Sequence, residues 1–133
     1  MKTPFPHRLA AMTLALFCAG VAQAAPLEYL GQQIVPSGTL FAGTVVGGLS
    51  GIDRNTSTGR YLAISDDRSA ANPARFYELS LDLSQFVRSA TPGSSGVAFQ
   101  GVTTLQQAGG AAFATNTVDP ESLRINPTNG KLI

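Results

Sequence analysis

The chain is poor in the residues that carry most side-chain chemistry. Its 133 residues include one cysteine, one histidine and no tryptophan, and only 13% are charged. Both Cys18 and His7 lie before residue 25, so the rest of the chain has neither thiol nor imidazole. In that region a disulfide, a cysteine nucleophile, a Ser-His-Asp triad and a zinc site of the usual His/Cys kind are excluded. A metal held there must rest on oxygen ligands, which points to calcium or magnesium. The net charge of +1 is too small for the basic footprint of nucleic-acid binding. At 44% hydrophobic residues the chain is also not a solvated, disordered one.

What is present begins with an address. Lys2, His7 and Arg8 give a positive start, Leu9 to Val21 is almost wholly apolar, and Ala22-Gln23-Ala24 offers small residues at the two positions a signal peptidase reads. This is the layout of a secretory signal peptide, residues 1–24, cleaved after Ala24. The apolar run is short for a membrane span, which takes about 20 residues. Phe17, just before Cys18, stands where lipoprotein processing needs a small residue. The sequence therefore predicts an exported protein, periplasmic or extracellular, with no membrane span after cleavage. Residues 25–133 then carry seven basic and eight acidic groups.

This region reads as all-β. No window sustains helical periodicity over three turns. Leu27 to Leu30 with Gln33 to Val35, Phe41 to Val46, Leu49 to Ile52, Arg60 to Ser65, Phe76 to Leu83, Val97 to Leu105 and Phe113 to Val118 are candidate strands. In Phe76 to Leu83 the residues Tyr77, Leu79, Leu81 and Leu83 share one face, while Glu78, Ser80 and Asp82 share the other. A bulge is expected at Gly101. An internal echo adds to this picture. Leu49-Ser50-Gly51-Ile52-Asp53 is followed by Gly59-Arg60, and Ser122-Leu123-Arg124-Ile125-Asn126 by Gly130-Lys131. Both read as strand, polar turn, Gly, basic residue, strand. Repeated hairpins are the units of β-propeller blades, with a β-sandwich as the alternative. At roughly 40 to 45 residues per blade, residues 25–133 amount to about two to three blades. Because Lys131-Leu132-Ile133 opens a second strand, the chain reads as the N-terminal portion of a longer domain.

Four places are candidates for chemistry. Asp66-Asp67 ends a strand, either as a carboxylate pair for a hard cation or as a polar strand exit in which one Asp caps a turn. Asp119-Pro120-Glu121 sets two carboxylates on one side of an extended segment, where they repel unless a cation, a proton or an arginine lies between them. A solvated loop, neutralised in part by Arg124, is the other reading. Gly47-Gly48-Leu49-Ser50-Gly51 fails the nucleophile-elbow pattern at Ile52, so its glycines are expected to let strands approach closely. Among the arginines, Arg68 and Arg75 lie near the Asp pair in sequence. They suit either bidentate contact with phosphate oxygens or ordinary ion pairs.

Taken in order, Gly48-Leu49-Ser50-Gly51-Ile52-Asp53, Gly59 to Arg68, Arg75-Phe76-Tyr77-Glu78-Leu79 and Asp119 to Ile125 resemble the phytase-like family, also described as having the esterase-like activity of phytase. The resemblance covers about residues 45 to 133. It implies an exported, propeller-like domain that hydrolyses phosphoesters or esters. Asp66, Asp67, Asp119 and Glu121 match acidic positions of the family and are the expected calcium ligands, with Arg68 and Arg75 on substrate. The expected function is metal-assisted hydrolysis of a small-molecule phosphoester. The alternatives are a non-catalytic, calcium-stabilised binding module and a carboxylic-ester or lactone hydrolase on a similar propeller.

Overall fold

A computed structural model describes residues 26–133; residues 1–24, expected from their sequence to be a signal peptide, lie outside the described residues. Among the described residues, six strands form two antiparallel sheets: β1 (Leu40–Phe41), β2 (Thr44–Val45), β3 (Leu49–Arg54), β4 (Tyr61–Ser65), β5 (Arg75–Leu81) and β6 (Val97–Thr104). A short 3-10 turn, Leu83–Gln85, follows β5. β3 to β6 make a four-stranded sheet in sequence order, and β1 pairs with β2. No closed barrel or ring is formed among the described residues.

Alternation explains the main sheet. Arg75, Tyr77 and Leu79 are buried on one face of β5, with Phe76, Glu78 and Ser80 less so on the other. Leu83 leaves this pattern because the 3-10 turn ends the strand, and it is half exposed. Across the strands, Tyr77 pairs with Ala63 and Val102 and therefore shares their face. Val46, Ala63, Tyr77 and Leu79 form the core, with Phe41 and Phe99 packed against them. The rings of Tyr77 and Phe99 meet edge-on at 5.5 Å, and Phe41 lies 5.6 Å from Phe99. The β1–β2 hairpin thus covers one face of the sheet.

The other face takes the segment around residue 121. A Cβ on Gly51 would fall 3.0 Å from Ser122 Cα and 3.4 Å from the Glu121 carbonyl, so the missing side chain is what allows this approach. Leu123 is buried there. The sheet is therefore flanked by the chain that precedes it and by the chain that follows it.

Two bulges interrupt the ladders. Gln100 is the extra residue in β6, beside Gly101, where Glu78 faces Gly101 and Leu79 faces Phe99. Ser50 is the extra residue in β3, between Leu49 opposite Ser65 and Gly51 opposite Ile64.

The echo is a repeat in three dimensions. Gly59 N–H donates to the Asn55 carbonyl at 2.8 Å, and Gly130 N–H to the Asn126 carbonyl at 2.8 Å. Asn55 N–H donates to the Arg60 carbonyl at 2.8 Å, and Asn126 N–H to the Lys131 carbonyl at 2.8 Å. Gly59 and Gly130 have φ of +73° and +68°, the left-handed conformation that glycine adopts without steric cost. The Asn55 side chain accepts from Ser57 N–H and the Asn126 side chain from Thr128 N–H, so both turns are built by the same Asx geometry.

Three expected strands do not form as written. Among the described residues, 27–30 and 33–35 join no strand: Gln32 pairs with Val87, Ile34 N–H donates to the Gly93 carbonyl at 2.8 Å, and Leu27 and Leu30 are exposed. Phe41 to Val46 is split by a turn at Ala42 and Gly43, both at positive φ, into β1 and β2. Phe113 to Val118 is turned instead of extended, because Asn116 is left-handed at φ +61° and Thr117 N–H closes onto the Ala114 carbonyl at 3.2 Å.

Candidate functional site

The candidate residues gather at the end of the sheet where β3 begins and β4 ends. Leu49 lies opposite Ser65, and beyond it Asp66 N–H donates to the Gly48 carbonyl at 2.7 Å. Gly48 has φ +56°, and its missing Cβ leaves the space filled by the Asp66 carboxylate: a Cβ would lie 1.7 Å from Oδ1. Asp66 is exposed. Ser65, fully buried, closes the strand exit by donating to the Gly47 carbonyl at 2.9 Å.

Asp67 turns the other way. Its Oδ1 accepts from Ala70 N–H at 2.8 Å and Ala71 N–H at 3.2 Å, and its Oδ2 from Asn72 N–H at 3.0 Å and Arg75 at 2.8 Å. The loop between β4 and β5 is thus wrapped around one carboxylate, which is the turn-capping alternative of the strand exit. Burial pushes the Asp67 carboxyl up, but the hydrogen bonds from Arg75 and from the N–H groups of Asn72, Ala70 and Ala71 outweigh it and bring the pKa down to about 2.

Arg75 is 2% exposed and engages five acceptors. Nε donates to Tyr77 Oη at 2.6 Å, and one terminal nitrogen to Asp67 and to the Asn72 and Pro73 carbonyls at 2.8, 3.3 and 3.1 Å. The other donates to the Val45 carbonyl at 2.7 Å. Burial works against its charge; the hydrogen bonds with Asp67 and Tyr77 prevail and hold its pKa above the ordinary arginine value.

Arg68 is exposed at this end. Its Nε stands 3.5 Å from Asp119 Oδ1, both side chains being about half exposed, at 50% and 54%. The backbone beside it is held by the later segment: Asn116 N–H donates to the Arg68 carbonyl at 2.8 Å, and Thr115 Oγ1 to the Ser69 carbonyl at 2.9 Å. Ser69 and Asn116 both adopt left-handed φ, +62° and +61°. Left-handed residues other than glycine persist where their surroundings over-determine them. Ser50 Oγ reaches the carbonyl of buried Pro120 at 3.4 Å, and exposed Glu121 follows.

The structure therefore brings Arg68 and Asp119 together and draws the two segments bearing Asp66 and Glu121 to the same end of the sheet. It turns Asp67 and Arg75 toward each other. Thr115 and Asn116 did not stand out in the sequence. The burial of Arg75 had a signal: it keeps the parity of Tyr77, Leu79 and Leu81, the apolar face of β5.

Calcium takes six to eight oxygen ligands. Both Asp67 oxygens are engaged within the protein, and Asp119 faces a guanidinium. Among the described residues no three acidic side chains gather around a common point. These residues do not make a calcium site by themselves.

At the other end of the sheet the two repeated turns flank a pocket of about 350 Å³ lined by Asp53, Asn55, Ser57, Ile125, Asn126 and neighbours. Asp53 Oδ2 accepts from Ile125 N–H at 2.8 Å and joins the two hairpins. The N–H groups of Ile125 and Arg54 lower its pKa, burial opposing them weakly.

An antiparallel sheet with charged loops at one end, and with buried polar residues committed to holding those loops, places this chain among the all-β proteins. The family Phytase-like, described as esterase-like activity of phytase, matches residues 44–133, from β2 through the second repeated turn. That is about two thirds of the chain, and the chain belongs to this family. The family's description is of a hydrolase-like function. No curated protein and no solved structure matches the chain.

Proposed function

We propose that this chain supplies a site for phosphoester hydrolysis in an exported protein of β-propeller-like build. The Arg68–Asp119 pair, exposed and within the family-matched region, carries the reading. Asp119 lies on the Nε side of the guanidinium, and among the described residues its terminal nitrogens make no hydrogen bond to protein. That open edge suits two phosphate oxygens, because a planar fork of N–H donors matches them bidentately. Asp119 orients the fork. Asp66 and Glu121 are the acidic groups available to take a proton from an attacking water. Arg75, expected on substrate, is excluded from that role by its burial.

The propeller-like build draws support from a four-stranded antiparallel sheet in sequence order, flanked by the preceding and following chain, with a hairpin repeated beside its first strand. Export rests on the pattern of residues 1–24. The family's esterase-like description favours a second reading, hydrolysis of a carboxylic ester.

The test uses the full-length protein with p-nitrophenyl phosphate and p-nitrophenyl acetate, each with calcium and with chelator. Turnover of the phosphate ester is expected, with kcat/KM reduced about ten- to a hundredfold in Arg68→Ala, the range of a lost charge-assisted hydrogen bond. Turnover of the acetate alone would overturn the first reading in favour of the second, and turnover of neither removes both. Activity that chelator abolishes and calcium restores adds the ion to the site; unchanged activity removes it.

A further inference from the structure

Asp67 stands in the chain between Asp66 and Arg68, so whatever holds its carboxylate holds the backbone of both neighbours. Four donors hold it: three successive backbone N–H groups of its own loop, and Arg75. Arg75 is in turn fixed from several directions. Its guanidinium is tied to Tyr77 on β5, to Asn72 and Pro73 in the loop, and to Val45 on β2. Tyr77 Oη also lies 2.9 Å from Thr44 Oγ1 and 3.1 Å from the Val45 carbonyl. The loop is therefore joined to the covering hairpin and to the central strand through one buried cation. On its far side, residues 115–116 clamp the carbonyls of Arg68 and Ser69. The backbone of Arg68 is held between these two sets of bonds while its side chain stays exposed.

We propose that the ion pair of Asp67 with buried Arg75 is a positioning device that sets the direction of Arg68 toward a substrate phosphate, and that neither residue of the pair touches substrate. The inference rests on the reading that Arg68 meets phosphate. It reassigns two residues whose types suit metal and phosphate contact to the support of the residue between them. An ion pair left exposed in the loop lacks this rigidity, because solvent competes for both partners.

The test compares Asp67→Asn, Arg75→Lys and Arg68→Ala in the full-length protein, with Leu79→Val as a variant that loosens the core away from the site. The readouts are kcat and KM for p-nitrophenyl phosphate, inhibition by inorganic phosphate, and the thermal midpoint. Asp67→Asn is expected to raise KM and the inhibition constant of inorganic phosphate about five- to tenfold, at temperatures where the protein stays folded. Arg75→Lys keeps the charge but loses the fork, and is expected to do the same; it serves where Asp67→Asn does not fold. Leu79→Val lowers the midpoint and leaves KM and phosphate inhibition unchanged. Variants of the pair that lower the midpoint alone, as Leu79→Val does, overturn the proposal. So does a collapse of kcat in Asp67→Asn with KM unchanged, which makes Asp67 a participant in the chemistry. If Arg68→Ala leaves phosphate inhibition unchanged, it is the underlying reading of Arg68 that fails; if Arg68→Ala weakens it and the pair variants do not, only the positioning role fails.

Discussion

Replacing Tyr77 by Phe removes one oxygen and keeps the ring. The packing of that ring against Phe41 and Phe99 survives, so the apolar contribution of the core is preserved. Thr44 Oγ1 still donates to the Phe41 carbonyl at 2.8 Å, and the Val45 carbonyl still accepts from Arg75 at 2.7 Å. Only Arg75 Nε, held 2.6 Å from Tyr77 Oη, loses its partner, and with the residue 2% exposed no water replaces it without a rearrangement. A buried charged donor left unpaired costs about 2–3 kcal/mol. Urea unfolding of the full-length protein measures this as a fall in midpoint at unchanged slope. Tyr61→Phe is the control: Tyr61 lies at the edge of the core with Arg54 over its ring at 5.9 Å, and the same deletion there is expected to cost about 0.5 kcal/mol or less. A loss in Tyr77→Phe no greater than in Tyr61→Phe would refute the reasoning, since it would mean that the Arg75 network does not depend on its tyrosine.

Three further outcomes follow from the geometry. Gly48→Ala forces a left-handed alanine and pushes Asp66 aside, so a stability loss of about 1–2 kcal/mol is expected in urea unfolding; an unchanged midpoint would count against the close approach of Asp66. Asp67 has a folded pKa near 2, below its ordinary 3.8, so the folded state binds fewer protons. Its stabilisation is complete above about pH 5 and is lost as pH falls toward 2, by about 2–3 kcal/mol. Asp67→Asn should flatten that part of an acid titration of stability. Asp53→Asn weakens the bond to Ile125 N–H, and faster hydrogen exchange at that amide, with the rest of the sheet unchanged, is the expected result.

β5 and β6 were legible because their side chains alternate against a buried face, β4 because of its β-branched and aromatic content, and the bulge near Gly101 because a glycine interrupts the alternation of β6. The two polar turns were legible because Asx geometry and a left-handed glycine are written in local sequence. Strand pairing for residues 27–35 was not, since an apolar run does not reveal whether a partner strand lies beside it. Nor was the turn at 114–117, where Asn116 adopts the left-handed conformation that asparagine tolerates better than most residues. At the site, residue types were informative and allegiances were not. Asp66 and Asp67 are adjacent and chemically identical, yet one lies over Gly48 in solvent and the other is enclosed by its own loop. That difference arises from Arg75, eight residues further on, whose parity on β5 turns it inward.

The bond from Asp53 to Ile125 N–H has an unequal effect on the two positions it joins. A main-chain donor is present whatever side chain residue 125 carries, proline alone excepted. Position 125 is therefore free to drift over evolutionary time without loosening the second hairpin, whereas position 53 must keep an acceptor of this reach. A record of substitutions in this protein would show constraint at one end of the contact and tolerance at the other, although both residues take part in the same bond.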